Sequence, residues 1–170
     1  MEIEVTKGKF YNPTKGYLKF KTVIEEIFHF MKEDPEKEYE IVVGCDSSSG
    51  NEPDFPIAIV ILRKKAGGKF FLKKIKYPRR KFYNLRQRIL EEVYLSCELA
   101  LVLRETLEKE IERRNLKIEY QFQYIHADVG ENGVTKDMIK EVIGLIKGNG
   151  FEAKIKPEAF AASVVADRFS

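Results

Sequence analysis

The chain contains no tryptophan, only two cysteines and no long apolar run. A membrane-spanning helix needs about 20 consecutive apolar residues, and the longest unbroken run here covers only residues 57–62. Cys45 and Cys97 lie far apart and in no metal-ligand spacing. That usage argues for a reduced, cytoplasmic protein without a zinc site. The opening MEIEVTKGKF carries two glutamates and no apolar core, so a secretory signal is not expected. One further lack is local. From Phe55 to Leu90 there is no aspartate or glutamate, while twelve lysines and arginines fall there in a chain of net charge +3. Segregated charge of this kind suits a polyanion such as a nucleic-acid backbone. Lysines that keep a hairpin soluble and guard its edge are the alternative.

With 170 residues, 44% of them apolar, the chain is long enough for one domain with a sizeable core. Residues 1–19 read as irregular, with turn signals at Asn12-Pro13 and Gly16. A helix is predicted from Thr22 to Glu33. Thr22 and Glu25 have capping-box spacing, and Val23, Ile24, Ile27, Phe30 and Met31 form an apolar stripe. Residues 1–38 are therefore read as an N-terminal extension and helix packed on a domain of residues 39–170.

Within that domain Tyr39–Cys45 reads as a buried strand. Two more strands, 56–64 and 69–77, flank Ala66-Gly67-Gly68, a hairpin signal. A long helix is predicted from about Asn84 to Arg114, and a fourth strand over Lys117–Ala127. A helix over Val134–Lys147, a short strand over Phe151–Lys156 and a last helix from Pro157 to Phe169 complete the series. Right-handed crossovers place the fourth and fifth predicted strands parallel to the first. The fold class expected is α/β: a five-stranded mixed sheet in the order 3-2-1-4-5, flanked by helices. In open sheets of this kind ligands bind at the carboxyl ends of strands where the order reverses.

Two acids stand at that point. Asp46, in GCDSSSG, ends the first predicted strand, and Asp128, in YIHADVG, ends the fourth. On parallel neighbours their Cα atoms lie about one to two strand spacings (~4.8 Å each) apart. Carboxylates so close repel, and one takes up a proton unless a cation sits between them. Turn capping explains either acid alone. A third acid, Glu92, falls on the stripe Leu85, Ile89, Glu92, Ser96, Leu99, Leu103 of the long helix, facing inward or snorkelling from its margin. Glu91, Glu98 and Glu105 read as solvated. A fourth, Asp167, shares a face of the last helix with Phe160, Ser163 and Val164. Four carboxylates form a hard, all-oxygen donor set suited to Mg²⁺ or Mn²⁺, and pairs of such ions run in-line phosphoryl displacement.

The blocks Gly44-Cys45-Asp46-Ser47-Ser48, His126-Ala127-Asp128-Val129-Gly130, and Ala153-Lys154-Ile155-Lys156-Pro157 with Ala161-Ala162-Ser163 and Ala166-Asp167-Arg168-Phe169 resemble the ribonuclease H-like superfamily. More narrowly they are similar to its YkuK-like family of predicted nucleases. The resemblance runs from Thr22 to Phe169. It implies a ribonuclease H-like fold and a nuclease acting on RNA or DNA, with two Mg²⁺ or Mn²⁺ ions once substrate is bound. It implies Asp46, Glu92, Asp128 and Asp167 as catalytic metal ligands.

Ser47, Ser163 and His126 are auxiliary candidates. His126 either assists proton transfer or orients a ligand, or is a buried structural histidine. Lys73, Lys74, Lys76, Arg79, Arg80, Lys81, Arg86 and Arg88 are the candidate nucleic-acid contacts. Tyr77, Phe82 and Tyr83 interleave with them and either stack on bases or pack in the core. Two other functions fit the residues: a non-catalytic nucleic-acid-binding module, and a phosphotransferase of the sugar-kinase or actin type, suggested by Asp46-Ser47-Ser48-Ser49-Gly50.

Overall fold

The computed structural model describes residues 4–161. The chain enters as a small hairpin, β1 (Lys9–Asn12) and β2 (Gly16–Lys19), which runs directly into helix α1 (Phe20–Glu33). Strands β3 (Tyr39–Cys45), β4 (Phe55–Arg63) and β5 (Gly68–Ile75) follow as an antiparallel meander. Helix α2 (Leu85–Arg114) leads to β6 (Gln121–His126), a 3₁₀ turn at Lys136–Met138, helix α3 (Ile139–Gly148) and β7 (Glu152–Lys154). The sheet is mixed and has seven strands, in the order β2-β1-β5-β4-β3-β6-β7. Strands β3, β6 and β7 are mutually parallel.

Seven strands replace the five expected, because residues 1–19 are not irregular. Asn12 builds the extra hairpin. Its Oδ1 accepts from the N–H groups of Thr14 (3.0 Å) and Lys15 (2.9 Å), and its Nδ2 donates to the Phe70 carbonyl. The Asx turn closes the hairpin and ties it to β5, where Tyr11 pairs with Leu72. The turn residues were visible; two four-residue strands are too short to show a period. The same hairpin displaces the start of α1. The helix begins at Phe20 behind an extended Lys19 with no side-chain cap, and Glu25 pairs instead with Arg114 at 3.1 Å. The Thr22–Glu25 capping box does not form.

Three further boundaries differ. Strand β6 starts at Gln121, and its pairing with β3 shifts register between Glu40 and Val42. That irregularity lets Phe122 pack on the helix side while Tyr124 packs on the opposite face, which the expected alternation of 118, 120, 122 and 124 did not allow. The α3 region begins with the 3₁₀ turn, leaving Val134 83% exposed. Pro157 opens no helix. It lies in a turn in which the Glu158 and Ala159 N–H groups bond the Ile155 carbonyl. The rest of the expected last helix, with Ser163 and Asp167, lies outside the described residues.

Two apolar clusters lie on the two faces of the sheet. The larger joins α1, α2 and α3 to Ile41, Val43, Cys45, Ile57, Ile59 and Ile61. The smaller joins Val42, Ala58, Val60 and Leu72 to Ala161, with Phe160 against it. Helix α2 is the spine of the larger cluster. Asn84 caps its start by accepting from the Gln87 N–H, and Asn115 ends it in a left-handed conformation (φ 53°). Ile89, Glu92, Ser96, Leu99 and Leu103 of the predicted stripe are buried. Leu103 is fully buried, so Leu103→Ala is expected to lower stability by about 2–5 kcal/mol in chemical denaturation. No helix among the described residues is long and apolar enough to cross a membrane.

Candidate functional site

The parallel pairing of β3 with β6 sets the site. Val42 lies opposite Tyr124, Val43 opposite Ile125 and Gly44 opposite His126. Asp46 and Asp128 each follow two residues beyond that last pair, at the carboxyl ends of adjacent strands. The Asp46 N–H bonds the Pro56 carbonyl (3.0 Å), and its Oδ1 accepts from the Ser47 N–H (2.8 Å). The rest of the GCDSSSG stretch folds back on itself. Ser48 exchanges two hydrogen bonds with Asp54, its N–H to the Asp54 carbonyl and its Oγ from the Asp54 N–H.

Glu92 reaches the same place from α2. It is 3% exposed and accepts a hydrogen bond from the Ser47 hydroxyl at 2.5 Å. Burial pushes its carboxyl up to about 9. The negative charges of Asp46 and Asp128 add to the rise, while the Ser47 hydroxyl and the Arg88 charge oppose it. Glu92 therefore holds a proton at neutral pH.

Asp128 is paired. Its Oδ1 lies 2.8 Å from the Lys156 ammonium. The Asp128 contact, and beyond it the charges of Asp46 and Glu92, raise the Lys156 pKa against the opposing effect of burial. Lys156 was not among the expected site residues, yet register points to it. Strands β6 and β7 pair His126 with Lys154, so two residues further on Asp128 meets Lys156.

His126, two residues before Asp128, is buried. Its Nδ1 accepts from the main-chain N–H groups of Phe160 (3.0 Å) and Ala161 (3.1 Å). Burial, and then the Lys154 charge, push the imidazole down to about 4. The ring is thus neutral at neutral pH and carries its proton on Nε2. Nε2 is buried and has no hydrogen-bond partner among the described residues. His126 lines a cavity of about 20 Å³ with Asp46, Asp128 and Phe160, room for one water molecule.

Among the described residues no group of three or more histidines, cysteines, aspartates or glutamates is gathered as a metal centre. Ser47 engages Glu92, Lys156 engages Asp128, and Asp167 lies outside the described residues. The donor chemistry nevertheless fits a hard divalent ion. Carboxylate oxygens dominate, and their mutual repulsion is relieved here by a proton on Glu92 and a lysine on Asp128.

The basic segment divides into groups. Lys73 is buried and its ammonium donates to the Glu4 carbonyl. Arg80 pairs with Glu91 (3.1 Å), Arg86 with Glu141 (2.7 Å) and Lys76 with Asp54 (3.7 Å). Arg88 donates to the Gly50 carbonyl. Lys74, Arg79 and Lys81 are exposed, with no ion pair among the described residues. Glu91 is buried rather than solvated, and it also accepts from the Tyr77 hydroxyl at 2.6 Å. Tyr77 and Phe82 pack on Phe55, while Tyr83 is 73% exposed.

Comparison with known proteins places the chain in a family. The Ribonuclease H-like family matches residues 22–170. Uncharacterized protein YkuK of Bacillus subtilis (strain 168) is 30% identical over 166 residues, which covers 95% of this chain and 96% of that protein. No solved structure matches. The chain belongs to the YkuK-like group of the ribonuclease H-like family.

Proposed function

We propose that the chain is a metal-dependent nuclease that hydrolyses phosphodiester bonds of RNA or DNA. One observation carries the reading. Two aspartates end adjacent parallel strands, and a buried glutamate from the facing helix is electrostatically coupled to both. Asp46, Glu92 and Asp128, with Asp167, would hold Mg²⁺ or Mn²⁺, two ions once substrate is bound. When bound, such ions activate a water and stabilise the leaving oxygen. The remaining roles belong to side chains. Ser47 orients Glu92 through its hydroxyl. The neutral His126 offers a fixed Nε2–H donor beside the aspartates. Lys74, Arg79 and Lys81 supply positive charge for the phosphate backbone. The test is cleavage of end-labelled single strands, duplexes, RNA/DNA hybrid and a four-way junction in Mn²⁺, with wild type and Asp46→Asn side by side.

A second reading is a nucleic-acid-binding module that does not cut. The lysine seated on Asp128 favours it, because a carboxylate already paired with an ammonium is a poorer metal ligand. Under either reading the exposed cations contact phosphates. Replacing Lys74, Arg79 and Lys81 together by alanine is expected to flatten the slope of log affinity against log salt by about 2–3. Fluorescence anisotropy at several salt concentrations checks this, and an unchanged slope moves the binding surface elsewhere. Affinity that ignores divalent ions, with no cleavage of any substrate, makes the module the better account.

A further inference from the structure

Lys156 is placed by the backbone on both sides of its partner. Asp128 lies between Ala127 and Val129. The Ala127 N–H bonds the Lys154 carbonyl (2.9 Å), and the Lys156 N–H bonds the Val129 carbonyl (2.8 Å). These two hydrogen bonds continue the β6–β7 ladder past its last paired residues and hold Lys156 alongside Asp128. Gly130 lets the two segments close up. A Cβ there would stand 2.9 Å from the Lys156 Cβ, so no larger residue fits without a shift. The main chain thus sets Lys156 beside Asp128, where its ammonium reaches the carboxylate. Its charge reaches further than Asp128, since Asp46 also acts on the same ammonium.

We propose that the Lys156 ammonium is the resident cation of this acidic cluster, and that a divalent ion reaches Asp128 only in competition with it. The inference rests on the metal-binding reading above and adds a residue to it. An ammonium at 2.8 Å from Oδ1 occupies the side of the carboxylate where it sits. It also repels a second cation brought to the same oxygen. Loading of metal then requires Lys156 to swing away, which its half-exposed side chain permits. A nearby phosphate group supplies an alternative partner for the freed ammonium. The centre is thereby poor in metal when empty and better able to take it when a nucleic-acid backbone is present.

The experiment is a Mn²⁺ titration of the full chain without nucleic acid, at low ionic strength, with free Mn²⁺ read by electron paramagnetic resonance. Wild type, Lys156→Met, Lys156→Arg and Asp46→Asn are compared, and each is checked for folding by thermal melting. Lys156→Met is expected to bind Mn²⁺ about two- to fivefold more tightly than wild type. Lys156→Arg, which keeps the charge, should stay near wild type. Equal or weaker binding by Lys156→Met overturns the proposal, as does equally tight binding by Lys156→Arg. If binding is lost in Asp46→Asn while Lys156→Met matches wild type, the metal reading stands and the competition does not. If no variant binds Mn²⁺, both fall.

Discussion

Asp46→Asn is expected to reduce Mn²⁺-dependent cleavage by roughly 10³-fold or more, with little change in nucleic-acid affinity. The magnitude follows from charge. Metal ions contribute several kcal/mol to stabilising a phosphoryl transition state, and each 1.36 kcal/mol is about a factor of ten in rate. Asparagine keeps the shape and can still accept the Ser47 N–H, the contact that Asp46 Oδ1 makes now. It removes the anionic oxygen that would attract the ion. The substitution also relieves one of the two charges that raise Glu92, so the variant should be no less stable than wild type. Single-turnover cleavage, anisotropy and thermal melting on the same preparation separate the three effects. A variant that cuts as fast as wild type removes Asp46 from the chemistry and with it the nuclease reading of this site.

Glu92→Gln is expected to do the opposite of a damaging core mutation. It should stabilise the metal-free protein, increasingly so as pH rises. The native carboxyl sits at about 9 against an ordinary value of 4.5. A folded state that holds this proton more tightly than the unfolded chain gains stability that is full below about pH 4.5 and is lost as pH climbs through about 9. Glutamine resembles the protonated form and escapes that loss. The two proteins should melt together near pH 4. At pH 7 the glutamine variant should be more stable by about 3 kcal/mol, which is about 6–12 °C in melting temperature for a chain of this size, and the gap should widen towards pH 8. Added Mn²⁺ should raise the melting temperature of wild type more than that of the variant. A variant that melts below wild type at pH 8 would show that Glu92 is stabilised by its contacts as an anion, and the burial argument would fail.

The site was legible in the sequence to the extent that it follows from strand register. Asp46 ends a strand whose apolar run is unmistakable, and the antiparallel meander followed by two crossovers leaves few places for β6. Glu92 stood out because a charge interrupts an otherwise apolar or small stripe. Lys156 did not stand out, since a lysine after a short strand is unremarkable until the β6–β7 pairing is known residue by residue. Glu91 was misread for a related reason. Helical periodicity puts it off the main stripe, but Tyr77 and Arg80 come from the preceding loop and cover it. The Thr22–Glu25 box failed because a hairpin upstream decided where α1 starts. The eight basic residues looked alike in a list of charges; which of them face solvent depends on acids as remote as Glu141.

The pairing of β3 with β6 has a consequence for how the chain reaches its working form. It joins chain positions 44 and 126, with the β4–β5 hairpin and all of α2 in between. Contacts of such high sequence separation form late and slowly, because the loop must be closed before the pairing rewards it. The helices and the meander can assemble from neighbours, whereas the two aspartates meet only when the parallel half of the sheet is in place. A chain in which that pairing has not formed would lack the acidic cluster. A nascent or damaged molecule would carry the basic segment, and the affinity for polyanions that goes with it, before it carried the carboxylate constellation.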